Sequence, residues 1–183
     1  GLIARINEQI ELQKAGFPAL IQMKCNALID EGMVDALYRA SMAGVPIDLW
    51  VRGICALRPG VPGLSETIRV RSVVGRFLEH SRIYAFGTGA SESRGEVWIG
   101  SADLMHRNLD RRVEVLVRVT DEAQRGELRD LVSMAMDARI SSWWLGPDGT
   151  WTRHQFDDAG ERLTDIQELL IRARRGRTTE ACA

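Results

Sequence analysis

Residues 20–51 most constrain how this chain can fold. The run Leu20-Ile21-Gln22-Met23-Lys24 reads as a short buried strand. Asp30 follows as the N-cap of a helix whose inner face is Val34, Leu37, Tyr38 and Ser41, and Gly44 closes it. Residues 45–51, led by Pro46 and rich in β-branched and aromatic side chains, predict a second strand. Strand, helix and strand at this spacing make a crossover unit, which sets the two strands parallel in one sheet. The chain is therefore expected to be an α/β domain with a mixed, mostly parallel sheet flanked by helices.

The flanking segments extend that frame. Ile3, Ile6 and Ile10 recur at helical spacing and Gly16 stops the helix they predict over 3–15. Residues 52–63 form a loop stiffened by two prolines. In 67–71, Ile68 and Val70 alternate with Arg69 and Arg71, which predicts a strand. Residues 82–86 and 95–100 are two further strands around a Gly/Ser tip at Gly87-Thr88-Gly89. That tip lacks the third glycine of a dinucleotide fingerprint and lies between strands, so it predicts a hairpin turn. Residues 113–119 predict another strand with valine at every inward position. Thr120 is the expected cap of a helix carrying Leu128, Leu131, Val132 and Ala135. Trp143, Trp144 and Trp151 are expected to close over a sheet edge, and Thr164-Asp-Ile-Gln167 to form a capping box opening the last helix. Domain limits of 1–175 follow, with 176–183 expected to be a disordered tail.

Length and composition suit one such domain. A chain of 183 residues, 45% hydrophobic, can bury roughly 70% of its unfolded surface and needs neither disulfides nor a structural metal. The formal charge of −1 excludes a globally basic nucleic-acid coat and an acidic disordered tail. No apolar run approaches the roughly 18 residues of a membrane span. Cys25, Cys55 and Cys182 are scattered, as expected of reduced thiols in a cytoplasmic protein. The chain opens at Gly1 instead of Met, as a piece of a longer parent would. Of 24 basic residues, 22 are arginine. Six of these (Arg52, Arg58, Arg69, Arg71, Arg76 and Arg82) fall within 52–82 against two glutamates, a local excess suited to gripping phosphate or carboxylate oxygens in pairs.

His80 is the histidine with chemical company. Strand alternation puts it on one face with Arg82, and Gly100-Ser101-Ala102-Asp103 ends the next strand. His-x-Arg followed by Gly-Ser-x-Asp resembles the phospholipase D superfamily half-site, His-x-Lys followed by Gly-Ser-x-Asn. Imidazole, a cation two residues on and a small turn suit phosphate chemistry. Arg82 and Asp103 depart from the superfamily's lysine and asparagine. His106 and His154 are expected to be structural or exposed.

A longer resemblance adds to this. Val51-Arg-Gly-Ile-Cys55, Arg-Pro-Gly-Val-Pro-Gly-Leu-Ser at 58–65, Ile68-Arg-Val-Arg-Ser72, Val74-Gly-Arg-Phe-Leu-Glu-His-Ser-Arg82 and Gly100-Ser-Ala-Asp-Leu-Met-His-Arg-Asn-Leu-Asp-Arg-Arg-Val-Glu114 resemble the bacterial polyphosphate kinases of the long, multidomain type. The likeness is to their C-terminal phospholipase D-like catalytic domain; it runs from near Gly1 and loosens past about residue 145. It implies reversible transfer of the ATP γ-phosphate to inorganic polyphosphate with Mg2+, through a phosphohistidine in a preceding domain outside these residues. It implies Arg52 as a nucleotide-binding arginine and His80 as the second, catalytic and nucleotide-binding histidine. Metal ligands are expected outside this chain, and the fragment alone is expected to be inactive. The resemblance also implies a homo-oligomeric, cytoplasmic parent, membrane association only through the full-length complex, and no specific nucleic-acid partner.

Arg82, Arg107 and Arg111 are further candidates for a polyphosphate path, with Asp103, Asp110 and Glu114 near in sequence as alternative ion-pair partners. Asn108 could orient a catalytic group or cap a turn. Lys24 and Asn26, at a strand end, are candidates for the same site. No Walker A loop is present, so nucleotide binding would fall to arginines. Two other functions fit the same residues: a phospholipase D-like phosphodiesterase with His80 as nucleophile, and a polyanion-binding module without turnover.

Overall fold

A computed structural model describes residues 1–88 and 95–180, with the side chains of 176–180 left out. In chain order the elements are α1 (Leu2–Lys14), β1 (Ile21–Cys25), α2 (Glu31–Met42), β2 (Ile47–Val51), β3 (Ile68–Ser72), β4 (Ile83–Phe86), β5 (Glu96–Gly100), α3 (His106–Leu109), β6 (Leu116–Val119), α4 (Glu122–Ala135), β7 (Ser142–Leu145), β8 (Trp151–His154) and α5 (Ile166–Glu180). The crossover unit forms as expected. The Asp30 carboxylate accepts from Met33 N at the start of α2, and Gly44, at φ 87°, turns the chain out of it.

One eight-stranded sheet holds the domain, in the order β6-β5-β4-β1-β2-β3-β7-β8. Only β1, β2 and β3 run parallel; every other neighbouring pair is antiparallel. The mixed α/β class holds, but the sheet is not mostly parallel. The short links of the β4–β5 and β7–β8 pairs can join neighbouring strands only by reversing them.

Both faces of the central strands are covered. Ile21, Met23, Ile47, Leu49, Ile68, Val70, Tyr84 and Phe86 pack with Ile6 and Ile10 of α1 and Met33, Ala36, Leu37 and Ala40 of α2. The opposite face meets α4 and α5 through two smaller clusters, Trp50 with Val73, Ala135, Ile140 and Ile166, and Ile83 with Ala85, Val97, Val119 and Val132. On that second face the central strands carry polar side chains. Gln22 Nε2 donates to Ser133 Oγ (2.9 Å), and the Arg69 guanidinium pairs with Asp48 (2.7 Å). Buried Arg71 donates to the carbonyls of Asp137 (2.7 Å) and Ala135 (3.5 Å) and lies 4.0 Å over the Trp144 ring.

Several local expectations change. The strand expected over 113–119 forms only over β6; Val113 and Val115 precede it and are exposed, Val117 is exposed within it, and only Val119 is buried, against Val132 of α4. The helix cap is Asp121, which accepts from Gln124 N, and not Thr120. The tryptophan segment adds β7 and β8 to the sheet instead of covering its edge. At α5 the Asp165 carboxylate accepts from Gln167 N (2.7 Å) and Glu168 N (3.3 Å), so no Thr164–Gln167 capping box forms. Helix α5 carries on to Glu180, into the stretch expected to be disordered, while 181–183 with Cys182 lie outside the described residues. The Gly/Ser tip also lies largely outside them, from residue 89. Cys25 and Cys55 are free thiols.

Replacing Arg71 by leucine leaves the Asp137 and Ala135 carbonyls without their charged donor. A loss of about 2–3 kcal/mol is expected, read as a lower urea midpoint at unchanged slope.

Candidate functional site

Because β4 runs antiparallel to β1, its beginning lies beside the ends of β1 and β2. Lys24, Asn26, Arg52, residues 79–82 and Asp103 therefore meet at one end of the sheet. The segment before β4 is gripped there through three successive carbonyl oxygens. Arg52 Nη1 donates to Glu79 O (2.9 Å), Arg82 Nη1 to His80 O (2.9 Å) and Lys24 Nζ to Ser81 O (3.2 Å). Each is a charge-assisted bond, the stronger class of hydrogen bond.

Lys24 is 2% exposed, a cost its partners must offset. Its ammonium also reaches Ser81 Oγ (2.8 Å) and Glu79 Oε2 (3.2 Å) and sits 4.5 Å from the Trp50 ring centre. Burial pulls its pKa below the usual lysine value, with the Glu79 charge acting against that shift.

Arg82 and Asp103, the two departures from the superfamily pattern, form one matched pair. Nε and Nη2 of Arg82 meet the two carboxylate oxygens of Asp103 at 3.2 and 2.8 Å, a fork that lysine could not form. The same carboxylate accepts from Asn26 N (2.7 Å) and Asn26 Nδ2 (3.2 Å). Burial alone would raise the Asp103 pKa, but the Arg82 and Asn26 bonds outweigh it and hold the carboxyl below its ordinary value. Arg82 Nη1 also lies 3.1 Å from His80 Nδ1. A guanidinium only donates, so Nδ1 must accept, and the neutral ring carries its proton on Nε2. The exposed His80 thus has a hydrogen-bond donor at its free nitrogen.

The remaining candidates scatter. Arg107 and Arg111 are exposed on and just beyond α3. Asn108 is buried and donates through Nδ2 to Glu114 Oε1 (2.6 Å); its Oδ1 has no partner among the described residues. Asp110 bonds His106 (3.2 Å), and His154 stacks on Trp144 at 3.9 Å. The arginine excess at 52–82 is not one patch: Arg69 and Arg71 serve the sheet, Arg82 contacts His80, and Arg52 holds the carbonyl of the preceding Glu79. Three contributors escaped the sequence reading. Glu79 and Ser81 flank His80 and were visible by adjacency, whereas Gln167 gave only a helix-start signal. Its amide instead reaches Phe77 and Glu79.

Among the described residues no group of three or more His, Cys, Asp and Glu side chains is placed to hold a metal ion. The carboxylates beside His80, Glu79 and Asp103, are each paired with a cation, Lys24 and Arg82, and do not fit a divalent cation. No helix among them is long and apolar enough to cross a membrane.

Fold and site together define a phospholipase D-like α/β domain with a histidine framed by cations at the strand ends. A family model described as polyphosphate kinase C-terminal domain 2 matches residues 1–164. The chain belongs to that family. It is 62% identical over 177 residues to a polyphosphate kinase of Streptomyces coelicolor, covering 97% of this chain and 23% of that protein. To a polyphosphate kinase of Mycolicibacterium gilvum it is 50% identical over 175 residues, 96% of this chain and again 23% of the relative. The crystal structure of polyphosphate kinase from Porphyromonas gingivalis matches with a TM-score of 0.85 at 35% identity, over 96% of this chain and 26% of that one. NucT from Helicobacter pylori shares the fold at a TM-score of 0.51 and 10% identity, over 74% of this chain and 89% of that one. The chain thus spans about a quarter of the polyphosphate kinases it matches.

Asp103→Ala would leave the mostly buried Arg82 without its partner. The expected cost is about 3–5 kcal/mol in chemical denaturation. Because the folded pKa of Asp103 is depressed, its stabilisation is complete above the unfolded value of about 3.9 and fades as pH falls below it. The stability difference between wild type and Asp103→Ala should therefore be constant from pH 7 to about 5 and shrink below about 4.

Proposed function

We propose that this domain supplies the His80 half of an ATP:polyphosphate phosphotransferase site, the other half lying in a part of the parent enzyme beyond these residues. ATP γ-phosphate would pass reversibly to inorganic polyphosphate through a phosphohistidine held in that other part, with Mg2+ bound there as well. Phosphoryl transfer asks a protein mainly for placement and charge stabilisation. Arg52, at the end of β2, keeps most of its five N–H donors for phosphate oxygens beyond the one given to Glu79 O. His80 would donate from Nε2 to an oxygen of the moving phosphoryl group or its leaving group.

The Arg82–His80 Nδ1 contact carries this reading. A phosphodiesterase using His80 as nucleophile needs a lone pair at the exposed Nε2, which calls for an acceptor at Nδ1. Here a donor-only guanidinium stands in that place, and likeness to NucT at 10% identity extends to the fold alone. Arg82, Arg107, Asn108 and Arg111 belong to the proposed phosphate path as weaker members. A cytoplasmic, homo-oligomeric parent is part of the same reading.

With this segment exchanged for its counterpart in the S. coelicolor enzyme, Arg52→Ala and His80→Ala should each cut polyphosphate synthesis from ATP roughly 100-fold or more. Near-wild-type rates in both overturn the assignment. The isolated chain should make no polyphosphate and hydrolyse no phosphodiester; diester turnover dependent on His80 would favour the nuclease reading. Polyanion binding whose affinity drops steeply with salt, with no rate loss in either variant, would favour the binding module.

A further inference from the structure

Beyond buried Val73, the chain between β3 and β4 has little apolar anchorage of its own. Val74, Phe77 and Leu78 are 68%, 55% and 75% exposed, yet this stretch leads directly into His80. It is held instead by one amide from the far end of the sequence. Gln167, in the first turn of α5, is 5% exposed. Its Oε1 accepts from Phe77 N and its Nε2 donates to Phe77 O, both at 2.8 Å, as a neighbouring strand would. The same Nε2 donates to Glu79 Oε1 (2.8 Å), while Lys24 holds Glu79 Oε2 from the other side (3.2 Å).

Gly75 makes the room for this amide. A Cβ at position 75 would lie 2.7 Å from Gln167 Cδ and closer still to its Oε1, nearer than real Cβ atoms come. The backbone φ of Gly75 is not positive, so a side chain there would be opposed by the Gln167 amide and not by the backbone conformation. The carboxamide cannot easily step aside, since all its bonds point into the segment it holds.

We propose that Gln167 is a positioning residue for His80, with Gly75 as its socket. The amide fixes 75–79, and Glu79 and Lys24 carry that order into the carbonyl grip around His80. The consequence for phosphate transfer rests on the function proposed above; the positioning itself does not.

Nitrogen-15 NMR of the histidine rings, with urea denaturation alongside, tests this on the chain as it stands. Wild type is expected to show His80 as a single Nε2–H tautomer. Gln167→Leu and Gly75→Ala should each bring a second tautomer or exchange broadening at His80, leaving His154 unchanged. Ile140→Ala, buried in the same small core cluster as Ile166 but not bonded to 75–79, should lower the urea midpoint without altering the His80 ring. An unchanged His80 ring in both Gln167→Leu and Gly75→Ala overturns the proposal, as does an equal change in Ile140→Ala. Adding Gly75→Ala to Gln167→Ala should have little further effect, because the clash is gone; additive effects overturn the socket. In the S. coelicolor exchange enzyme the same variants should lower kcat roughly 10- to 100-fold with little change in the KM for ATP. An altered ring with unchanged turnover would overturn the phosphate role and leave the positioning intact.

Discussion

The site depends on three cations that each hold one of three consecutive carbonyl oxygens, at Glu79, His80 and Ser81. Arg52, Arg82 and Lys24 come from three different places in the chain, and the sheet brings them together. A free loop of this length would sample many conformations, and ordering each residue costs roughly 1–2 kcal/mol of backbone entropy. Charge-assisted bonds in a partly desolvated setting can meet that cost where exposed apolar side chains cannot. With Lys24 paired to Glu79 and Arg82 to Asp103, Arg52 leaves a net positive charge near the exposed imidazole.

Two of these cations are themselves largely removed from water, so the grip is stable only while every partner is present. Lys24 relies on Glu79, Ser81 and the Trp50 ring, and Arg82 on Asp103. Asn26 then satisfies Asp103 from the other side. Such networks are weak evidence for net stability, because desolvation consumes most of the Coulombic gain. Their effect here is to permit one geometry. The apolar face beneath α1 and α2 provides the burial that makes such a polar second face tolerable.

Much of this was legible residue by residue. Asp30, Gly44 and the strands around them announced the crossover unit, and Arg52 and His80 stood out by type and spacing. Lys24 and Asn26 were suspects through their strand-end position. The flanking strand directions were harder to read, since a buried strand shows the same apolar run whether parallel or antiparallel. The valine row at 113–119 had the right period for a strand, but its burial depended on how far α4 reaches across β6.

Local pattern determined the crossover unit, most of the flanking helices and strands, the α/β class and the two chemically distinctive side chains, because periodicity, capping and residue type act over a few neighbours. Tertiary structure alone decided that Arg69 and Arg71 would serve the sheet while Arg52 and Arg82 frame His80. It also made Gln167 a tether for a segment 90 residues away and not a helix cap. A hydrogen bond has no sequence signature when its partners meet only after the sheet is assembled. The chain names the donors and acceptors, and the order and direction of the strands choose the pairs.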